Sequence, residues 1–242
     1  MTRHRLTVLG LIGAGLLAAG ALTGCATGAS APSSGGASST PDATGSTLSA
    51  EIGAAWVDGG RSVAVVTTGS STCPPVVSGE PSASGTTITV DLAASPRENC
   101  TRDMAPRATL VSLPAGVEPS TDLAVAVTGE VEGRALLSGL DPVPATPAEF
   151  TPSAGWVNDS LVAIVTYGSS SCVPSVEAVT AAGSEVAVQF ATPPADQVCT
   201  MDMGPRVTLA DIGREAGSGA ASLVLSGGGV TTDAPIPVLG TR

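Results

Sequence analysis

The sequence predicts an all-β protein built as two tandem small antiparallel β-sandwich or open-barrel domains, each with one disulfide. Three observations carry this prediction. First, one segment is written twice: Cys100-Thr-Arg-Asp-Met-Ala-Pro-Arg-Ala-Thr-Leu110 returns as Cys199-Thr-Met-Asp-Met-Gly-Pro-Arg-Val-Thr-Leu209. Each copy follows a Gly-Ser-Ser-x-Cys segment, and Cys73 to Cys100 and Cys172 to Cys199 both span 27 positions. Second, short apolar runs alternate with Gly, Pro, Ser and Thr clusters every 8–12 residues or so, the spacing of strands and turns. Third, aromatics make up only 2% of the chain, so the core has to be assembled from Val, Ala, Leu and Ile. No helical period is sustained.

The first 24 residues read as an export signal. Arg3 and Arg5 precede an apolar run from Leu6 to Leu22, which ends at Leu22-Thr23-Gly24-Cys25. An apolar run closed by small residues and a cysteine resembles the lipobox of bacterial lipoproteins. That resemblance implies cleavage before Cys25, a diacylglyceryl thioether on Cys25, and an acylated (palmitate-type) amino terminus that anchors the chain in the cell membrane. The alternative, an uncleaved transmembrane helix, has only 17 glycine-rich residues with which to span a bilayer.

Residues 25–46 form the expected lipid-anchored linker. From Ala26 to Ser49 all but Asp42 and Leu48 are Ala, Ser, Thr, Gly or Pro, a composition unable to bury enough apolar surface to order itself. As a random chain the tether reaches on the order of 27 Å.

Two repeat domains follow, 47–145 and 146–242. Ala50-Glu51-Ile52 is echoed by Ala148-Glu149-Phe150, and both copies then reach Trp-Val, at Trp56-Val57 and Trp156-Val157. A hairpin turn comes next, Asp58-Gly59-Gly60 or Asn158-Asp159-Ser160. The strands after it, Val63 to Gly69 and Val162 to Gly168, are apolar on successive residues, which predicts a central strand covered on both faces.

Pro75 and Pro174 match at an offset of 99, but the next strands do not keep it. Ile88, Val90 and Leu92 alternate with polar residues as Val186, Val188 and Phe190 do, an offset of 98. A strand demands this one-residue slip, because displacement by one residue would turn every side chain to the opposite face. Arg107–Leu113 with Arg206–Ile212, and Leu123–Val127 with Ser222–Ser226, supply further strands; Asp141 to Pro144 and Asp233 to Pro237 close the copies.

Five cysteines in an exported chain divide into one lipid anchor and four others. Of the three possible connectivities only Cys73–Cys100 with Cys172–Cys199 respects the duplication. A metal site would need short Cys-x-x-Cys spacing or histidines, and neither is present.

Charge and residue inventory restrict function. There is no lysine, and His4, the single histidine, lies in the signal. Beyond the signal 8 arginines face 21 acids, a net charge near −13. Such a surface repels nucleic acid and anionic lipid, so contact with a membrane is expected through lipidated Cys25 alone. No cofactor, metal or catalytic residue is expected.

The candidate ligand-binding residues are Asp103, Arg107, Asp202, Arg206, Trp56 and Trp156. Each Asp–Arg pair could clamp a polar ligand beside the disulfide; alternatively each Asp caps the turn after Cys-Thr and pairs with its own Arg. Ser70, Ser71, Ser169 and Ser170 could act as nucleophiles only beside a carboxylate base. The tryptophans are either stacking platforms or the largest pieces of an aromatic-poor core. Met104, Met201 and Met203 carry thioethers of the kind that suit Cu(I), without supporting histidines.

The Gly-Ser-Ser-x-Cys and Cys-Thr-x-Asp segments also make the duplicated region similar to uncharacterised secreted proteins and lipoproteins of high-GC Gram-positive bacteria. This resemblance implies location and disulfides, and no activity. The expected function is that of a non-enzymatic, lipid-anchored envelope protein whose paired β domains meet an envelope protein or glycan or serve a structural role. A small-ligand or metal-binding lipoprotein is the alternative, followed by a carboxylate-based glycan hydrolase.

Overall fold

In a computed structural model the described residues are 51–182, 185–217 and 221–242. The signal segment, Cys25 and the tether therefore lie outside them. The described residues belong to one compact unit.

Fifteen strands build the described chain, which contains no α-helix. In the first copy, β1 (Gly53–Val57) turns through a 3-10 segment (Asp58–Gly60) into β2 (Ser62–Gly69); β3 (Val76–Val77), β4 (Ser82–Ser84), β5 (Thr87–Ala93), β6 (Ala105–Ser112), β7 (Leu123–Gly129) and β8 (Gly133–Leu137) follow. The second copy comprises β9 (Ser153–Trp156), β10 (Leu161–Gly168), β11 (Val176–Ala182), β12 (Glu185–Phe190), β13 (Gly204–Asp211), β14 (Ser222–Gly227) and β15 (Ile236–Leu239).

In the first copy β1, β2 and β6 form one sheet, and β3, β5, β7 and β8, with β4 on β5, form another. In the second copy the corresponding sheets are joined by β15 into seven strands, in the order β11-β12-β14-β15-β9-β10-β13. The hairpin turns form where expected. In the first copy Asp58, Gly59 and Gly60 all take positive φ; in the second the Asn158 side-chain oxygen accepts the N–H groups of Ser160 and Leu161 at 3.0 and 2.9 Å.

The offset of 98 also holds. Ile88, Val90 and Leu92 on β5, and Val186, Val188 and Phe190 on β12, are the buried alternate residues of their strands.

The expectation of antiparallel sandwiches or open barrels needs correction on two points. First, β5 runs parallel to β7, β12 to β14, and β15 to β9. The cause is the connection: after β5 the chain crosses to the other sheet to make β6 and then returns, so β7 restarts in the same direction.

Second, the copies do not stand as two separate small units. Trp56, Val63 and Val65 pack with Ile88, Val90 and Val125 in one core, and Trp156, Val162 and Ile164 with Val186, Val188 and Leu223 in a second. The opposite faces of the same strands meet in a third core, where Ala55, Val57 and Ala64 contact Ala163 and Val165. The result is a continuous, solenoid-like stack of sheet layers. Small residues set its spacing: a Cβ on Gly155 would overlap the Trp56 carbonyl oxygen, and one on Gly53 would come within 2.6 Å of Val157. Across the same contact Asp58 N–H donates to Ser153 Oγ at 2.8 Å.

Candidate functional site

The duplicated motif folds in the same way in each copy. Cys73 and Cys100, and Cys172 and Cys199, are the bonded pairs, with Cα separations of 5.5 and 5.6 Å. Each disulfide draws the Cys-Thr-x-Asp segment onto the Gly-Ser-Ser turn. Thr101 N–H donates to Thr72 Oγ1 and Thr200 N–H to Ser171 Oγ, both at 3.0 Å. Ser70 and Thr101 hydroxyls lie 3.0 Å apart, and those of Ser169 and Thr200 2.8 Å apart.

Asp103 and Asp202 sit on top of this arrangement, exposed to solvent. The Asp103 carboxylate accepts from the Thr101 hydroxyl and from Ser71 N–H at 3.1 Å; Asp202 accepts from the Thr200 hydroxyl and from Ser170 N–H at 3.1 Å. Hydrogen bonds to Thr101, then Ser71, lower the Asp103 carboxyl to about 2, and bonds to Ser170 and Thr200 lower Asp202 to about 2. The Ser70 and Ser71 hydroxyls lie against the Thr101 hydroxyl and that of Ser169 against Thr200, while the Ser71 and Ser170 side chains also help to hold Asp103 and Asp202; a carboxyl lowered in this way is a weak base.

The expected pairing of each aspartate with its own arginine does not form among the described residues. The arginines point elsewhere because each stands directly opposite a threonine on the neighbouring strand, Thr67↔Arg107 and Thr166↔Arg206, and folds back over a glycine. A Cβ on Gly69 would come within 2.6 Å of the Arg107 guanidinium carbon, and one on Gly168 within 2.8 Å of that of Arg206. Glycine at the head of Gly-Ser-Ser-x-Cys thus makes room for the arginine.

From there the two copies diverge. Arg107, 8% exposed, donates to the Cys73 carbonyl at 2.6 Å, to Thr67 Oγ1 at 3.3 Å and to the Glu130 carboxylate at 2.9 Å. Arg206, equally buried, donates to the Cys172 and Tyr167 carbonyls at 3.0 Å each and has no ion pair among the described residues. Its Nε and the Thr166 hydroxyl are buried without hydrogen-bond partners among the described residues. Burial lowers the Arg206 pKa from its ordinary value, since desolvation disfavours the charged form. Strand registry explains the missing acid. Gly129 lies opposite Leu92 and Gly227 opposite Phe190, so Gly228 occupies the place of Glu130.

Both motif copies line a single groove of about 910 Å³. Its walls include consecutive residues of β6 and β13, Pro106–Leu110 and Pro205–Leu209, so it runs along the edges of these strands. Each of the two has one strand partner among the described residues. The segments carrying Pro75 and Pro174 complete the walls, held by hydroxyl donation from Thr109 and Thr208 to their carbonyls at 2.8 and 2.9 Å. Arg97, Arg107 and Arg206 line the groove, and no acid does among the described residues.

No family model matches this chain, and comparison with curated proteins and with solved structures finds no match.

Of the remaining candidates, Trp56 and Trp156 are buried. Trp56 donates its indole N–H to the Ser138 carbonyl at 2.8 Å, and Trp156 lies beneath Arg242 at 4.3 Å from the ring centre. Neither offers a free ring face for stacking. Met104, Met201 and Met203 are exposed. Among the described residues no cluster of three His, Cys, Asp or Glu is placed to hold a metal ion.

The sequence reading overlooked Glu130, which falls outside the quoted repeats and has no counterpart to draw attention to it. It also overlooked the Gly69 and Gly168 platforms, although the repetition of that glycine before both cysteines was a usable signal.

Proposed function

We propose that this protein is a lipid-anchored, extracytoplasmic binding module without catalytic activity, which meets an envelope component through the groove between its two motif copies. One observation carries this reading: both copies of the motif contribute to the walls of the same groove, while their serine, threonine and aspartate side chains are bonded to one another. A hydrolase of carboxylate type needs two carboxylates across a cleft. Among the described residues none lines this groove. Attachment rests on the lipobox-like Leu22-Thr23-Gly24-Cys25, and two bonded disulfides suit an oxidising compartment. The domain limits 47–145 and 146–242 belong to the same proposal.

The test has two parts. In a lipidating bacterial host the wild-type chain should take up labelled palmitate and sediment with membranes, whereas Cys25→Ser should lose the label and the membrane association. A photocrosslinking residue at Val173, exposed in the groove, should join the protein to an envelope component; the same residue at Leu136, exposed outside the groove, should not. Equal yields from both positions would remove the groove from the proposal, and an unlabelled wild-type chain would remove the anchor.

A further inference from the structure

The groove's lining is at odds with the overall charge of the protein. Eight arginines stand against 21 acids beyond the signal, yet three of the eight line this one groove and, among the described residues, no acid does. The surrounding charge is negative, so the groove is the place where an anion would meet attraction instead of repulsion.

Within it Arg206 is the exceptional residue. A buried guanidinium without a carboxylate is costly, because desolvation is not offset by an ion pair. Arg107 shows how the fold balances the same group, with Glu130 at 2.9 Å. In the second copy that acid is replaced by Gly228, and two carbonyls use only part of the five-donor capacity of Arg206.

The rest of the groove indicates the body that carries the anion. Val76, Val173, Leu110 and Leu209 supply apolar walls, and β6 and β13 border it with edges that have no second strand partner among the described residues. Strand edges flanked by apolar side chains accept an extended peptide through main-chain hydrogen bonds.

Resting on the binding-module reading above, we propose that the groove takes an extended, apolar peptide segment bearing a carboxylate, and that the carboxylate pairs with Arg206 as Glu130 pairs with Arg107.

The test uses the full chain purified in detergent and two probes of one sequence, Ac-Ala-Val-Val-Ala with a free carboxyl terminus and its carboxyl-terminal amide. Calorimetric titration should give one site for the acid, with at least tenfold weaker binding of the amide. Arg206→Gln should abolish that difference, with its circular dichroism and melting curve checked against wild type. Should Arg206→Gln not fold, Glu130→Gln decides the question: it leaves Arg206 intact and frees Arg107, and should raise the stoichiometry for the acid from one to two.

Equal binding of acid and amide, no binding of either, or unchanged stoichiometry in Glu130→Gln would overturn the proposal. Inorganic phosphate as a third probe separates a free anion from a peptide: phosphate binding as tightly as the peptide acid would also overturn it. If the acid fails to bind while the Val173 crosslink still captures an envelope component, the peptide assignment falls and the binding-module reading stands.

Discussion

Replacing Gly155 by alanine tests whether the two copies are stacked as described. The added methyl would overlap the Trp56 carbonyl oxygen and lie 2.9 Å from the Trp56 carbonyl carbon and 3.3 Å from its nitrogen. Carbon pairs prefer about 3.5–4.0 Å, and the obstacle is the backbone of β1, which is paired with β2, so no side-chain rotation relieves the overlap. The layers containing β1 and β9 must separate, loosening Ala55, Val57, Ala163 and Val165 in the core they share. Overpacking of this kind costs about 1–3 kcal/mol, and the rigid obstacle places Gly155→Ala near the upper end. For a folded unit of this size, each kcal/mol lowers the melting temperature by about 2–4 °C, so a loss of roughly 6–12 °C is expected in a calorimetric scan. Leu136→Ala, at a site 78% exposed, serves as the control and should stay within about 0.5 kcal/mol of wild type. A Gly155→Ala melt that coincides with the control would refute the argument, because it would mean that β1 and β9 do not approach as the stack requires.

Two further predictions concern the motif. Converting Cys73 and Cys100 together to alanine removes a bridge that closes 27 positions, worth roughly 3.5 kcal/mol in the chain-entropy estimate. Since the copies share a core, the whole melt should shift down as one transition; a scan in which the second copy melts at its original temperature would show that the shared core does not couple them. Acid should act through Asp103 and Asp202, whose folded values lie near 2, below the ordinary 3.8. A lowered carboxyl adds stability that is complete above its unfolded value and disappears as pH falls through its folded value. The melting temperature should therefore decline between about pH 4 and pH 2, and the Asp103→Asn, Asp202→Asn double variant should show a shallower decline over that interval. Identical slopes for variant and wild type would show that these two carboxylates carry none of the acid sensitivity.

Much of the fold was legible because it depends on local pattern. The duplication named the disulfide partners, since each bridge recurs at the same interval. The slip from an offset of 99 to 98 was readable at Ile88 and Val186 because pleating reverses a side chain with every residue. The apolar run from Val63 to Val66 announced a strand covered on both faces. Its identity as the strand between β1 and β6 agrees with that reading.

The candidate site was less legible. Asp103 and Arg107 are four residues apart and of opposite charge, which suggests a pair, but a strand boundary lies between them and sends the two side chains to different partners. The pairing of Arg107 with Glu130 spans 23 positions and exists because β7 ends beside the motif turn. The absence of an acid beside Arg206 becomes visible only when registry sets Gly228 in the place of Glu130.

The sequence by itself determined the strands, the turns, the two bridges and the charge balance. These follow from side-chain alternation, turn chemistry and repetition, all of which act over a few residues or are written twice. Only the tertiary structure decided what covers the second face of β2 and β10, that the two motif copies line one groove, and which arginine lacks a carboxylate. The physical reason is that an apolar face requires cover without specifying what provides it, and a buried charge requires a partner without specifying its position in the chain. Sheet registry and layer stacking make both choices.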